Sequence, residues 1–279
     1  MKLSIIIPTF NESPVISDCL HSLLKQDYKS FEIIVVDDGS TDNTEQIVTD
    51  IAKETPRLTV LKQKHLGAGS ARNLGAKKAT GDILVFVDAD MTFDTAFLRE
   101  LVLPITKDNK VGTFSTNELV SNWGNVWARC WNWNLSLPDQ KRLPDSYPDH
   151  QKVFRAIKKS AFMSVDGFTS GGYTDDWSLS EKLHEEAVNA PHALFYHQNP
   201  NTLTEVFAQS RWSAKRPYKL GIIGFFVALF RVNFVFSLIV GLFKAILHKD
   251  IRFVLFKIIY DLGQTIGIIQ FYATKKGTK

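Results

Sequence analysis

The sequence predicts an α/β fold with a doubly wound, mostly parallel sheet. Three observations predict it: short apolar runs that recur between helical patterns, a polar loop after each run, and cap residues where helices should start and stop. Residues 3–7, 31–36, 58–62 and 83–87 are the runs, continuous rather than alternating, as strands covered on both faces require. The first helix has Ser13 as its expected N-cap, Pro14 at its first position, and Ile16, Leu20, Leu23 and Leu24 on one face. A second helix is expected over 43–53 and a third over 70–79, ended by Gly81. Residues 1–110 therefore read as one half of the doubly wound sheet.

From 111 onward the signals mix. Residues 111–116 read as a strand, 123–133 as an aromatic-rich helix, and 137–150 as a Pro- and Asp-rich loop suited to a lid. Trp123, Trp127 and Trp131 recur every four residues and would share a helical face, as core or as a surface for stacking a sugar or meeting lipid. Beyond Leu220, residues 221–247 and 251–273 are two apolar segments, each long enough to span a bilayer. Arg231 inside the first, and the polar stripe of Lys257, Asp261 and Gln264 on the second, argue for helices lying in the interface. Lys215, Arg216 and Lys219 before them and Lys275, Lys276 and Lys279 after them equally suit a two-span hairpin with both ends in the cytoplasm. A helix pair packed on the rest of the chain is the third possibility.

A chain of 279 residues, 44% hydrophobic and 22% charged, has the makings of one large domain or a domain with an appendage. Its net charge of +4 is too mild and too spread to suggest nucleic acid, though it suits an anionic membrane surface. Two distant cysteines make no disulfide framework, so a reducing compartment is expected. The apolar run at the N-terminus is too short for a signal peptide and reads as the first strand.

Four segments fall at the C-terminal ends of the expected strands, where an open parallel sheet binds ligands. Pro8, Thr9, Asn11 and Glu12 turn the chain after the first strand and present polar groups. Asp37 and Asp38 follow the second strand, placed to accept from a base edge or ribose hydroxyls, with helix capping by Ser40 or Asp42 beside them. Residues 66–75 offer close backbone approach at Gly67 and Gly69 and, in Arg72, a partner for a diphosphate; their glycine spacing is not that of a dinucleotide site. Asp88, Ala89 and Asp90 close the fourth strand, and carboxylates two residues apart suit Mg²⁺ or Mn²⁺ bridging phosphate oxygens. Farther on, Asp175 and Asp176 precede a helical pattern, as a base for an acceptor hydroxyl or as compensation of the helix dipole. Arg211 and Trp212 suit a diphosphate leaving group or a helix surface. His197 either completes the metal shell, touches phosphate, or is structural.

Together the segments 4–12, 36–40, 67–75 and 88–90 resemble, in order and spacing, the family 2 glycosyltransferases of the GT-A fold, over residues 1 to about 212. The resemblance implies an inverting transfer of a sugar from a nucleotide-diphosphate donor. Asp37 would help hold the base, Asp88 and Asp90 the metal and diphosphate, and Asp176, at the second position of the family's Glu-Asp pair, would be the general base. It implies a GT-A domain, expected over 1–217 with a nucleotide-binding half over 1–110 and an acceptor half over 111–217, and the apolar composition beyond it marks a membrane-associated helical region over 218–279. Processive members carry Gln-x-x-Arg-Trp; here Ala208 stands at the glutamine position and Gln209 lies one residue too close to Arg211. One sugar per encounter is therefore expected, passed to a glycan or polyprenyl-linked acceptor at the cytoplasmic face of a membrane, in envelope polysaccharide or glycolipid synthesis. A nucleotidyltransferase would need a Gly- and Lys-rich first loop, which residues 8–12 are not. An inactive membrane adaptor of the same fold would not need intact metal ligands and base.

Overall fold

In the computed structural model, which describes residues 1–169, 177–216 and 218–274, the chain divides into two units. The first comprises Met1–Leu119 and Ser146–His197, the second Val120–Asp145 and Gln198–Lys279.

In the first unit, β1 (Leu3–Thr9) lies in parallel between β2 (Phe31–Asp37) and β4 (Ile83–Phe86), and β2 pairs with β3 (Leu58–Lys62). The crossovers are α1 (Ile16–Leu24), α2 (Thr44–Lys53) and α3 (Ala68–Lys78). Ile5 and Ile7 bury against Leu20, Leu23 and Leu101 on one face, and Ile6 against Ala71, Ala76 and Leu84 on the other. Two covered faces account for the unbroken apolar runs. The parallel strands bring the loops at residues 9–12, 37–42 and 87–90 to one edge, because each loop follows the C-terminal end of its strand.

Past β4 the sheet departs from the expected pattern. Its next strand is β9 (Ala156–Lys158), antiparallel to β4 with Val85 opposite Ala156, followed by β6 (Gly112–Phe114), β10 (Ala187–Asn189) and β8 (His150–Gln151). A small second sheet orders β5 (Met91–Phe93), β11 (Phe195–His197) and β7 (Glu118–Val120). The helices α4 (Phe97–Lys107), α6 (Lys159–Ser164) and α7 (Ser178–Leu183) belong to this unit.

Helix α1 begins at Ile16, not at Pro14. The amides of Glu12 and Ser13 donate to Thr44 Oγ1 (2.8 Å) and Asp42 Oδ2 (3.2 Å), which holds these residues as a turn. The Glu12 carbonyl then accepts from Val15 and Ile16 and starts the helix.

The second unit is helical: α5 (Val126–Asn134), α8 (Leu203–Ser213), α9 (Gly221–Arg231), α10 (Phe234–His248) and α11 (Arg252–Thr274). Cys130 and Trp131 of α5, Val206 of α8, Ala245 of α10, and Phe253 and Phe256 of α11 form one core. Residues 120–145 and 198–216 thus group with the apolar tail, and the units divide the chain elsewhere than the boundary expected at 217. Trp131 is core, meeting Phe256 and Tyr260 edge to face. Trp123 precedes α5, because Asn125 caps that helix by accepting from Trp127 and Ala128. The first half of the 137–150 loop is tied down, with Asn132 Nδ2 donating to the Pro138 and Lys141 carbonyls.

The segment 221–247 is not one straight helix. It breaks into α9 and α10 at 54°, with Arg231 ending one and Asn233 capping the other through the Phe236 amide. Nor does the polar stripe of α11 face an interface: Asp261 accepts from Ser237 Oγ (2.7 Å) and Lys257 Nζ (2.8 Å), and Gln264 Nε2 donates to Ser210 O and Ser213 Oγ. By length and composition α11 is the one described helix able to cross a membrane, or there are two such spans if the bent pair counts as one.

Candidate active site

The first two loops brace each other. Asn11 sits in the left-handed region at φ 58°, its amide donating to Ser40 Oγ (3.0 Å) and its Oδ1 accepting from the Thr41 amide (2.8 Å). Asp37 is buried and accepts from the Ser40 amide and hydroxyl through one oxygen, Oδ1. Asp38 is spent differently. Its Oδ1 accepts from Gln63 Nε2 and the Leu66 amide, and its Oδ2 from the Gly67 amide, with His65 Nδ1 at 2.9 Å. Both of its oxygens hold the β3–α3 loop. Thr9 and Ala89 are buried, Pro8 pairs with Val36 inside β1, and Gly69 is buried in α3.

After β4, Asp88 draws two arginines together. Arg72 Nη2 donates to Oδ1 at 2.8 Å and Arg155 Nη1 to Oδ2 at 3.1 Å. Burial opposes the charge on Asp88, but the guanidiniums of Arg155 and Arg72 outweigh it and hold the carboxyl well below the usual range. Two guanidiniums thus stand at the end of β4, the fork geometry that suits a diphosphate.

Two residues on, Asp90 Oδ2 lies 2.7 Å from His197 Nε2, and His197 Nδ1 lies 2.9 Å from Glu118 Oε1. The small sheet makes this chain possible, since β11 pairs antiparallel with β5 and places His197 opposite Met91. Glu12 completes the acidic side. Burial first, then the charges of Asp90 and Asp88, push its carboxyl up to about 7.

A sequence profile described as Glycosyl transferase family 2 matches residues 4–166, more than half of the chain. The chain belongs to glycosyl transferase family 2. Among curated relatives, this transferase is 27% identical to a poly-beta-1,6-N-acetyl-D-glucosamine synthase of Staphylococcus epidermidis over 220 residues, 76% of this chain and 53% of that one. It is 35% identical to the uncharacterized glycosyltransferase YibD of Escherichia coli K12 over 127 residues, 45% of this chain and 37% of that one. It thus spans about half the length of the synthase it matches. Two solved structures show the GT-A-like fold. S. aureus TarS 1–349 in complex with UDP-GlcNAc matches at TM-score 0.59 and 18% identity, covering 99% of this chain and 92% of that one. Mannosyltransferase PcManGT of Pyrobaculum calidifontis, in complex with GDP-Man and Mn²⁺, matches at TM-score 0.58 and 21% identity, covering 98% and 75%.

The described residues of the transferase hold no cluster of three His, Cys, Asp or Glu side chains arranged for a metal. What they offer is the Asp90 and His197 pair, a hard oxygen and an imidazole nitrogen side by side. The carboxylate of that pair suits Mg²⁺ or Mn²⁺ when water and a diphosphate supply most of the remaining ligands, whereas the imidazole is the softer donor. Asp88, expected as a second metal carboxylate, accepts from Arg72 and Arg155.

Sequence reasoning missed Arg155 and Glu118. Neither lies in a motif: Arg155 reaches the site because β9 runs antiparallel beside β4, and Glu118 because β7 joins the small sheet. Asp175 and Asp176 lie outside the described residues. Arg211 and Trp212 belong to α8 in the second unit, Arg211 over the Phe207 ring and Trp212 exposed.

Two results are expected here. If Asp90 and His197 hold a divalent cation, Glu118→Ala should weaken Mn²⁺ binding by about 10- to 100-fold, because it removes the group hydrogen-bonded to His197 Nδ1; titration calorimetry reads it, and an unchanged affinity would assign Glu118 to the fold alone. Glu12→Gln should change the pH profile of stability. A carboxyl raised from 4.5 to about 7 contributes fully below its unfolded value and loses that contribution as pH rises through 7. The wild type should therefore lose about 1–2 kcal/mol relative to Glu12→Gln between pH 5 and 8, after discounting for partial solvent screening. Denaturant midpoints at the two pH values test it, and parallel profiles would refute it.

Proposed function

We propose that this glycosyltransferase moves one sugar per encounter, with inversion, from a nucleoside-diphosphate donor to an acceptor held near a membrane. The observation that carries the reading is the site edge itself, where Asp88 gathers Arg72 and Arg155 while Asp90 meets His197. Arg72 and Arg155 would attract the diphosphate, Asp37 would receive the base and ribose, and Asp90 and His197 would hold Mg²⁺ or Mn²⁺. When bound, the cation would neutralise charge on the leaving diphosphate. Asp176 would accept the acceptor hydroxyl proton as the oxygen attacks the anomeric carbon. The bond from that carbon to the diphosphate breaks on the opposite face, and the nucleoside diphosphate leaves. Arg211 and Trp212 would meet the leaving group. Ala208 at the glutamine position supports single transfers, and the exposed apolar helices of the second unit support an acceptor near a membrane; that acceptor would be a glycan or a polyprenyl-linked one at the cytoplasmic face.

Thermal stabilisation by a panel of nucleoside diphosphates and nucleotide sugars, beginning with UDP-GlcNAc and GDP-Man and run with and without Mn²⁺, tests the reading. A metal-dependent shift with one nucleotide, and release of that nucleoside diphosphate on adding acceptor, is the expected result. Stabilisation by none of them would overturn it.

A further inference from the structure

Helix α10 is built inside out. Its buried positions are Ser237, Gly241 and Ala245, four apart on one face, whereas Phe234, Leu238, Ile239, Phe243 and Ile246 stand exposed. The small residues face α11, where a Cβ on Gly241 would meet the Val254 backbone at 3.3 Å. Small residues inward and large apolar ones outward is the reverse of a water-facing helix, and it is how helices pack when their outer face meets lipid. Helix α9 has the same composition of surfaces: Phe226 and Phe230 are exposed, and its buried residue is Gly224, which lies against the Lys219 backbone.

Helix α11 has the length to span, about 35 Å at 1.5 Å per residue, but its sides are occupied by polar elements. Its Gly263 and Gly267 lie against the α8 backbone, and α8 exposes Glu205 and Gln209 to its surroundings. Its Phe253 and Phe256 lie against α5, which leads into the exposed Lys141–Asp145 ion pair. Hydrocarbon around such elements would strand charges without water. The large apolar residues that α11 leaves exposed, Leu255, Leu262 and Ile269, are seven apart and form only a narrow seam. Helices α9 and α10 have 11 and 15 residues and break at 54° around Arg231 and Asn233. Each is shorter than the roughly 30 Å of hydrocarbon that a span must cross.

Charge names the occupant. Residues 213–279 contain eleven Lys and Arg against two Asp, with no Glu. Both acids are engaged, Asp261 with Lys257 and Asp250 with Arg252. Lys219, Arg231 and Lys249 are exposed at the ends of α9 and α10, bordering the apolar face with positive charge. We propose that α9 and α10 form a bent anchor lying in the interface of a bilayer that carries anionic lipid, and that α11 does not cross that bilayer but fastens the anchor to α5 and α8. The anchor stands whether or not the sugar-transfer reading does.

Cys19 and Cys130 are both fully buried, so single cysteines introduced as Lys219→Cys and Lys249→Cys report with little background. In sealed inside-out and right-side-out membrane vesicles, a membrane-impermeant maleimide should label both positions from the same face. Labelling from opposite faces, or protection of Lys249→Cys from both until detergent is added, would overturn the in-plane arrangement. In flotation, the purified full chain should bind phosphatidylglycerol vesicles about tenfold better than phosphatidylcholine vesicles. Phe234→Glu with Phe243→Glu should abolish binding at an unchanged melting temperature. If that variant does not fold, Lys219→Glu with Lys249→Glu should remove the lipid preference alone. Equal binding to both lipids, or a wild type that ignores vesicles and associates with itself through this face, would overturn the lipid assignment.

Discussion

Asp90→Ala is expected to lower turnover by about three orders of magnitude, the scale of losing a group that holds charge-neutralising chemistry at the reacting phosphate. The Asp90 side chain is 40% exposed and its partner is His197, so its loss should leave the melting temperature of the free protein almost unchanged. Stabilisation by donor with Mn²⁺ should vanish along with turnover. If Asp176 is the base as proposed, Asp176→Asn should behave oppositely, abolishing turnover while sparing donor binding with Mn²⁺, because a base acts on the acceptor proton. Turnover by Asp90→Ala within a few fold of wild type would remove Asp90 from the site.

Gly263→Val should destabilise the second unit by about 3 kcal/mol, the upper range for overpacking a closed contact. A Cβ at Gly263 would stand 2.0 Å from Ser210 Oγ and 2.6 Å from the Phe207 carbonyl, and one at Gly267 would stand 2.2 Å from the Arg211 carbonyl. Carbonyls of a helix cannot swing aside as a side-chain end can, so α11 must lift off α8. That movement would break the Gln264 bonds to Ser210 and Ser213 and loosen the Phe253 and Phe256 core. Five of the six tryptophans lie in the second unit, so the midpoint of fluorescence-detected unfolding reports on it. An unchanged midpoint would mean that the close approach of α8 and α11 contributes little.

The four parallel strands were legible because burial on both faces leaves unbroken apolar runs such as Ile5, Ile6 and Ile7. The loops after them were legible as a site because a parallel sheet must bring strand ends together. The division of labour between neighbours was not. Asp37 and Asp38 are chemically identical and adjacent, and only the position of the 63–67 loop decides that Asp38 is engaged there. Asp88 and Asp90 form one motif in sequence, yet strand geometry sends the first to Arg72 and Arg155 and the second to His197. Glu118 and His197 are 79 residues apart, and no local pattern signals that pairing. In the tail, apolar length was visible but direction was not. Periodicity could not show that Lys257, Asp261 and Gln264 point at α8 and α10, because a stripe satisfied by protein and one satisfied by water have the same spacing.

The inverted surface of α10 also prescribes how a handleable form of this enzyme could be engineered. Replacing outward positions such as Leu238, Ile239, Leu242 and Ile246 with glutamate, lysine or glutamine would remove the sticky patch without entering any core. Ser237, Gly241 and Ala245 must stay as they are, since they set how near α10 can come to α11. Uniform polar replacement along the helix would fail where this alternating scheme succeeds, so colloidal behaviour and helix docking can be tuned independently.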